Sequence, residues 1–145
     1  MSRPLPNRRH FLLAAPVCAL LPTPSRATEA KVATLIAELV GQVPMQSGRI
    51  TLDLPLLVEN GNVVAMTVAV DAPVGLVRDI HVFADGNPLP DVAHFQFGPR
   101  AGVPRIATRI RLATSQTVTA IARMNDGSCW KDSVELLVTL AACIE

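Results

Sequence analysis

Hydrophobic positions change their spacing once along this chain. Val32, Leu35, Ile36, Leu39 and Val40 recur at i, i+3, i+4, i+7 and i+8, the period of an amphipathic helix. Thr28 is placed to cap that helix, and Gly41 with Pro44 to end it. From Arg49 the period becomes two. Segments 49–54, 63–71, 76–84, 92–97, 105–113, 117–124 and 129–140 are rich in Val, Ile and Thr. Turn-forming runs separate them: Glu59-Asn60-Gly61-Asn62, Asp85-Gly86-Asn87-Pro88, Gly98-Pro99 and Asn125-Asp126-Gly127. The clearest alternation sets Ile106, Thr108, Ile110 and Leu112 against Arg109 and Arg111, as a strand with one wet face requires. The last segment places Val134, Leu136, Val138 and Leu140 on one face. Seven short strands over about 95 residues predict an all-β, immunoglobulin-like antiparallel sandwich behind a short N-terminal helix, with a small barrel as the competing architecture.

The first 27 residues follow neither pattern. Asn7-Arg8-Arg9-His10-Phe11-Leu12 leads into apolar Leu13 to Leu21, and the stretch ends Ser25-Arg26-Ala27. Paired arginines, a short apolar run and a small-x-Ala site are the layout of a twin-arginine export signal, cleaved after Ala27. The apolar run is too short for a membrane anchor, which needs roughly 20 residues, and Pro16 interrupts it. The chain thus divides into a signal over 1–27, a helix and connection over 28–48, a sandwich over 49–140 and a protruding arm over 141–145. The mature product is expected in the periplasm, with no membrane span.

Charge narrows the partners. Arg3, Arg8, Arg9 and Arg26 leave with the signal, so of 13 basic residues nine remain against 12 acidic ones. A mildly acidic domain whose aromatics are one Trp and, once Phe11 has left with the signal, three of the four Phe has no basic stripe for phosphates, which excludes nucleic acid as a partner. The mature length holds one hydrophobic core.

Candidate chemistry is sparse. His81 and His94 sit within separate strands, without Cys-x-x-Cys, His-x-x-x-His or an acidic cluster, so the sequence predicts no metal and no cofactor. It carries no Gly-x-Ser-x-Gly or Cys-His signature of nucleophilic catalysis either, and Asp85-Gly86-Asn87-Pro88 has the composition of a turn. Cys18 leaves with the signal, and Cys129 and Cys143 remain in a compartment that permits disulfides. Cys129 follows a tight turn, where a cysteine is expected as a small buried hydrophobe. A straight strand over 129–140 would hold its two ends about 36 Å apart, so pairing Cys129 with Cys143 requires the tail to fold back. Cys143 lies beyond the last predicted strand, on a tail able to carry it about 10 Å from the body.

The stretch Ile80-His81-Val82-Phe83-Ala84-Asp85-Gly86-Asn87-Pro88, then Phe95, Phe97 and Pro99, then Thr108-Arg109-Ile110-Arg111-Leu112-Ala113, then Asp126-Gly127-Ser128, resembles SoxY, the carrier subunit of periplasmic sulfur oxidation. The likeness extends over nearly all of the mature chain, including the helix, Glu59-Asn60-Gly61 and Val138-Thr139. It implies an immunoglobulin-like subunit that pairs with a SoxZ-like partner and serves periplasmic sulfur-metabolism enzymes. It also implies covalent attachment of sulfur intermediates to Cys143, on an arm that in the family reads Gly-Gly-Cys-Gly-Gly. Here the arm is Ala141-Ala142-Cys143-Ile144-Glu145. Alanine removes most of the φ > 0 freedom of glycine, Ile144 adds bulk, and Glu145 with the terminal carboxylate repels an anion such as thiosulfate. The sequence therefore predicts a SoxY paralogue with a stiffer, acidic arm. Two roles are open to it: a non-catalytic covalent carrier, or an interaction module whose Cys143 docks on or disulfide-links to a partner.

Overall fold

A computed structural model describes residues 24–143, with side chains from residue 28 onward. The export signal expected over 1–27 lies largely outside the described residues, as do Ile144 and Glu145 of the arm. Helix α1 spans Pro24–Val40, so Thr28 lies inside it and does not cap it. Proline suits a first turn because it lacks an N–H that would have no partner there, and this lets the helix start upstream of Thr28. Gly41 ends α1 as expected: at φ 64° it takes the left-handed conformation that closes a helix, and its N–H donates to the Ala37 carbonyl.

Among the described residues nine strands follow: β1 (Met45–Gln46), β2 (Ile50–Asp53), β3 (Leu57–Val58), β4 (Val64–Val70), β5 (Val77–Ala84), β6 (Asp91–Gln96), β7 (Arg105–Ile110), β8 (Gln116–Met124) and β9 (Cys129–Val138). The larger sheet runs β1-β9-β8-β5-β6, with β3 also on β9; the smaller runs β2-β4-β7. Between them Ile50, Leu52, Val64, Met66, Val68, Ile80, Val82, Leu112, Val118, Ala120 and Leu136 form the core. This is the predicted immunoglobulin-like sandwich, and the alternation of the long strands is its cause: in β4 every second residue from Val64 to Val70 is buried.

Two-residue β1 and β3 are not visible as strands in the sequence. Both pair in parallel with β9, β1 at Cys129 and Trp130 and β3 at Leu137 and Val138. Between them the chain crosses to the other sheet as β2, where the Leu52 N–H donates to Asp132 Oδ2 at 2.8 Å. Two strand ends also differ from expectation. β7 stops at Ile110 because the backbone of residues 111–113 leaves β4 to bond Asn87 and Gly61. β9 stops at Val138, and Leu140, expected on the buried face, is exposed, because Thr139 turns the chain toward Val58 and Glu59.

α1 forms a third layer. Val32 and Val40, with Leu35, Ile36 and Leu39 partly buried, pack on Phe83, Ile121 and Cys129 of the larger sheet. The last turn of α1 has no basic residue of its own. Arg123 of β8 supplies the cation, donating to the Leu39 carbonyl at 3.3 Å. The same guanidinium holds Asp79 of β5 through two bonds of 2.6 and 2.8 Å. Burial by itself would raise the Asp79 carboxyl, but the hydrogen bond and charge of Arg123, with Arg78 and His81 beside it, hold it below its ordinary value. His81 Nε2 is buried without a hydrogen-bond partner. Burial, then the neighbouring His94, lowers its affinity for a proton even though Asp79 opposes them.

Both shifts make the fold acid-sensitive, in separate windows. An unfolded His81 takes up a proton near pH 6.5 and the folded one only at lower pH, so stability falls as pH drops from that value toward the folded one. Asp79 contributes stability that is present above about pH 3.9 and is lost as pH falls through its lower folded value. Denaturant midpoints measured from pH 8 to pH 3 are expected to fall in both windows; His81→Gln should flatten the upper one alone. Asp79→Ala, which strands Arg123, is expected to cost about 3 kcal/mol at pH 7, read from the same titrations.

Candidate functional site

The arm begins where β9 leaves the sheet, and its first residues are seated. The Thr139 N–H donates to Val58 O at 2.9 Å, Leu140 O accepts from Gly61 N–H at 2.7 Å, and the Ala142 N–H donates to Leu112 O at 3.0 Å. Gly61 O in turn accepts from Leu112 N–H at 2.8 Å. Three backbone segments thus meet at Gly61, and a side chain there has no room. A Cβ would stand 2.3 Å from Leu112 O and 2.9 Å from Ala142 N. The turn read from Glu59-Asn60-Gly61-Asn62 is present, with the Asn62 N–H donating to Asn60 Oδ1, and it also forms the seat of the tail.

Leu112 can serve as the fixed side of this clasp because Asn87 holds its neighbours. Asn87, 2% exposed, donates from Nδ2 to Arg111 O and accepts at Oδ1 from Ala113 N–H and Gln116 Nε2. Gln116 Oε1 accepts from Gly86 N–H, and Asp85 Oδ1 accepts from Thr117 N–H. The polar run Asp85-Gly86-Asn87 is a turn, as its composition predicts, and the Asn87 side chain braces the segment that the tail lies on.

Of the arm expected over 141–145, Ala141 is exposed, Ala142 is buried at 7% exposure and Cys143 is exposed. The tail is held through Ala142, and the exposed cysteine follows it directly. Cys129 sits at the other end of β9, buried under α1, and both thiols are free. Burial pushes the Cys129 thiol up, against a smaller opposing pull from Arg123 and Arg78. At neutral pH it is a protonated, packed thiol, in keeping with the hydrophobic role expected of it. β9, about 30 Å long, runs from Cys129 to the start of the arm that carries Cys143.

The two histidines read as isolated are neighbours. β5 and β6 pair His81 directly opposite His94, and their rings stack at 4.0 Å with an 18° tilt. With Asp79, they place three ligand-type atoms within 4.8 Å of one another. The signal in the sequence was the spacing of Asp79 and His81, two apart on one strand and so on one face; the register that adds His94 was not legible. This cluster is badly arranged for a cation. Both Asp79 oxygens are engaged by Arg123 and Arg78, whose charges repel a metal. Near-parallel rings also aim their in-plane lone pairs at different points.

Comparison with known proteins places this geometry. Residues 36–143 match the family model described as sulfur oxidation protein SoxY. The solved sulfur carrier protein SoxY from Chlorobium limicola f thiosulfatophilum is 29% identical, with a TM-score of 0.65 over 77% of this chain and 99% of that one. Superoxide reductase (neelaredoxin) from Ignicoccus hospitalis aligns at 20% identity and a TM-score of 0.54, over 63% of this chain and 80% of its own, a likeness of fold alone. No curated protein matched the sequence. With the family model spanning the chain from α1 through the clasp to Cys143, and the same sandwich in a solved relative, the chain belongs to the SoxY family.

Proposed function

We propose that this protein is a periplasmic carrier that holds a sulfur-containing group covalently on Cys143 and presents it to separate enzymes. The observation that carries the reading is the exposed Cys143 one residue beyond a buried, hydrogen-bonded Ala142 on a SoxY-family body. The chain is the substrate of those enzymes and no catalyst itself. Joining cargo to the thiol through a sulfur–sulfur bond removes two electrons and the thiol proton, so an oxidising enzyme must supply the electron acceptor, and a second activity must release the product. A SoxZ-like subunit is the partner that family membership implies. Arg8-Arg9 and the apolar run after them support export by the twin-arginine route.

The seating of Ala142 supports a carrier in which little of the arm moves freely. Ala142 is held by its backbone N–H on Leu112 O, beside Gly61, with its side chain buried. Ile144 and Glu145, by their size and charge, restrict the active sites that accept this sulfur.

Intact-mass spectrometry of protein taken from cells oxidising reduced sulfur compounds is expected to show an adduct that a thiol reductant removes and that Cys143→Ser lacks. A bare thiol throughout active metabolism would refute the carrier, and a permanent cross-linked species on non-reducing gels would point to a docking module. Replacing Arg8 and Arg9 by Lys should retain the protein in the cytoplasm, checked by cell fractionation. Gly61→Ala should force the tail from its seat at a cost of about 1–3 kcal/mol. Hydrogen exchange at Ala142 and proteolysis after Leu140 should accelerate while the far-ultraviolet circular dichroism is unchanged.

A further inference from the structure

The arm surrounds its thiol with negative charge. Glu145 lies two residues from Cys143, and residues 141–145 contain no lysine or arginine. A cation is nevertheless at hand, in the body segment on which the tail is seated. The Ala142 N–H bonds Leu112 O, and the residue before Leu112 is Arg111. Leu112 is fully buried, whereas Arg111 faces solvent, as Cys143 does. The backbone of Arg111 is fixed as well, because its carbonyl accepts from Asn87 Nδ2 at 2.9 Å.

Other arginines of the domain are already engaged. Arg78 and Arg123 pair with Asp79, and Arg49 lies over the Trp130 ring at 5.0 Å. Arg111 and the exposed Arg109, two residues back on the same side of the chain, make no ion pair among the described residues. Asp91 lines the same groove of about 400 Å³ without pairing with either. The covalent path through the Ala142–Leu112 bond keeps the Cα atoms of Cys143 and Arg111 within about 13 Å of each other. A guanidinium reaches about 7 Å from its Cα, and a cysteine lengthened by a sulfur and a sulfonate about 6 Å, so the two ends can meet.

We propose that Arg111, supported by Arg109, receives the sulfonate end of a group bound to Cys143 and so favours anionic, oxidised sulfur compounds as its cargo. This rests on the carrier reading above and adds to it a specificity-determining cation in the body. A guanidinium suits the task because its planar N–H donors match two oxygens of an oxyanion at once. Tetrathionate loads such a thiol without a further oxidant. The thiol proton leaves to solvent and the thiolate attacks a central sulfur; the central sulfur–sulfur bond breaks, thiosulfate departs with the electron pair, and a sulfonate-ended disulfide remains on Cys143.

The test compares an anionic with a neutral reagent on the purified, reduced protein. Rates of Cys143 modification by tetrathionate and by N-ethylmaleimide are read by intact mass in about 0.1 M salt, with Cys143→Ser as the blank. The ratio of the two rates cancels any change in exposure of the thiol. Arg111→Gln is expected to lower that ratio about threefold, and Arg109→Gln with Arg111→Gln about fivefold. Both side chains are exposed, and the Asn87 bond to the Arg111 carbonyl is made by backbone that the substitution keeps. Arg105→Gln is the control for net charge: position 105 is about 20 Å from 111 along the chain, twice the screening length of about 10 Å, and the ratio is expected to stay at the wild-type value. A wild-type ratio in the double variant overturns the role of Arg111, and so does an equal fall in Arg105→Gln. If the wild-type protein carries no adduct in cells oxidising reduced sulfur compounds, the carrier reading falls and takes this role with it; an unchanged ratio overturns Arg111 alone.

Discussion

The candidate site depends on the absence of one side chain. At Gly61 the end of β9, the loop before β4 and the segment after β7 approach so closely that their backbones bond directly, and no Cβ fits between them. Backbone hydrogen bonds are individually modest, but these three are made between parts of the chain more than 25 residues apart, and each orders the others. Asn87 and Gln116 extend the arrangement inward, satisfying one another and the backbone of residues 111–114 with little help from solvent. A buried amide network of this kind stiffens its surroundings because any half-formed version leaves desolvated polar atoms.

A second anchor works through charge. Arg123 joins the helix end at Leu39 to Asp79 in the centre of the larger sheet, so the third layer is tied to the sandwich by an ion pair as well as by the Val32–Val40 stripe. A partly buried pair of this kind is weak evidence of net stability, because desolvation offsets its attraction. Here the pair joins the helix end to the sheet face that α1 covers, the face under which Cys129 is buried. One sulfur is thereby withdrawn from chemistry and the other left outside.

The long elements were legible because their periods are strong: the helical stripe from Val32 to Val40, the alternation of β4, β7 and β9, and the turns at Asn60-Gly61 and Asn125-Asp126-Gly127 all appear where the sequence puts them. What was not legible depends on partners far away in the chain. Met45-Gln46 and Leu57-Val58 become strands because β9 offers them an edge, and two residues carry no period. Leu140 continues the alternation of β9 on paper, yet Thr139 diverts the chain. Cys143 and its neighbours could be singled out from the sequence, but nothing in the string of letters shows that Ala142 is seated while Ala141 is not, because the seat is made of backbone atoms from residues 61 and 112. His81 and His94 looked unrelated for the same reason: the register of β5 with β6 is a property of the sheet.

The way β1, β2 and β3 thread past β9 has a consequence for assembly. One margin of β9 is occupied at its start by β1, at its end by β3 and between them by the bond from Leu52 to Asp132, and the other margin by β8. The strand that leads to the arm therefore has both ends of its outer edge paired and offers a foreign chain only the short stretch 131–136, which hinders the edge pairing that leads to fibrils and exchanged protomers. In the larger sheet the strand left open at its rim is β6, three places away from β9. Oligomerisation by strand addition there would leave the thiol unobstructed.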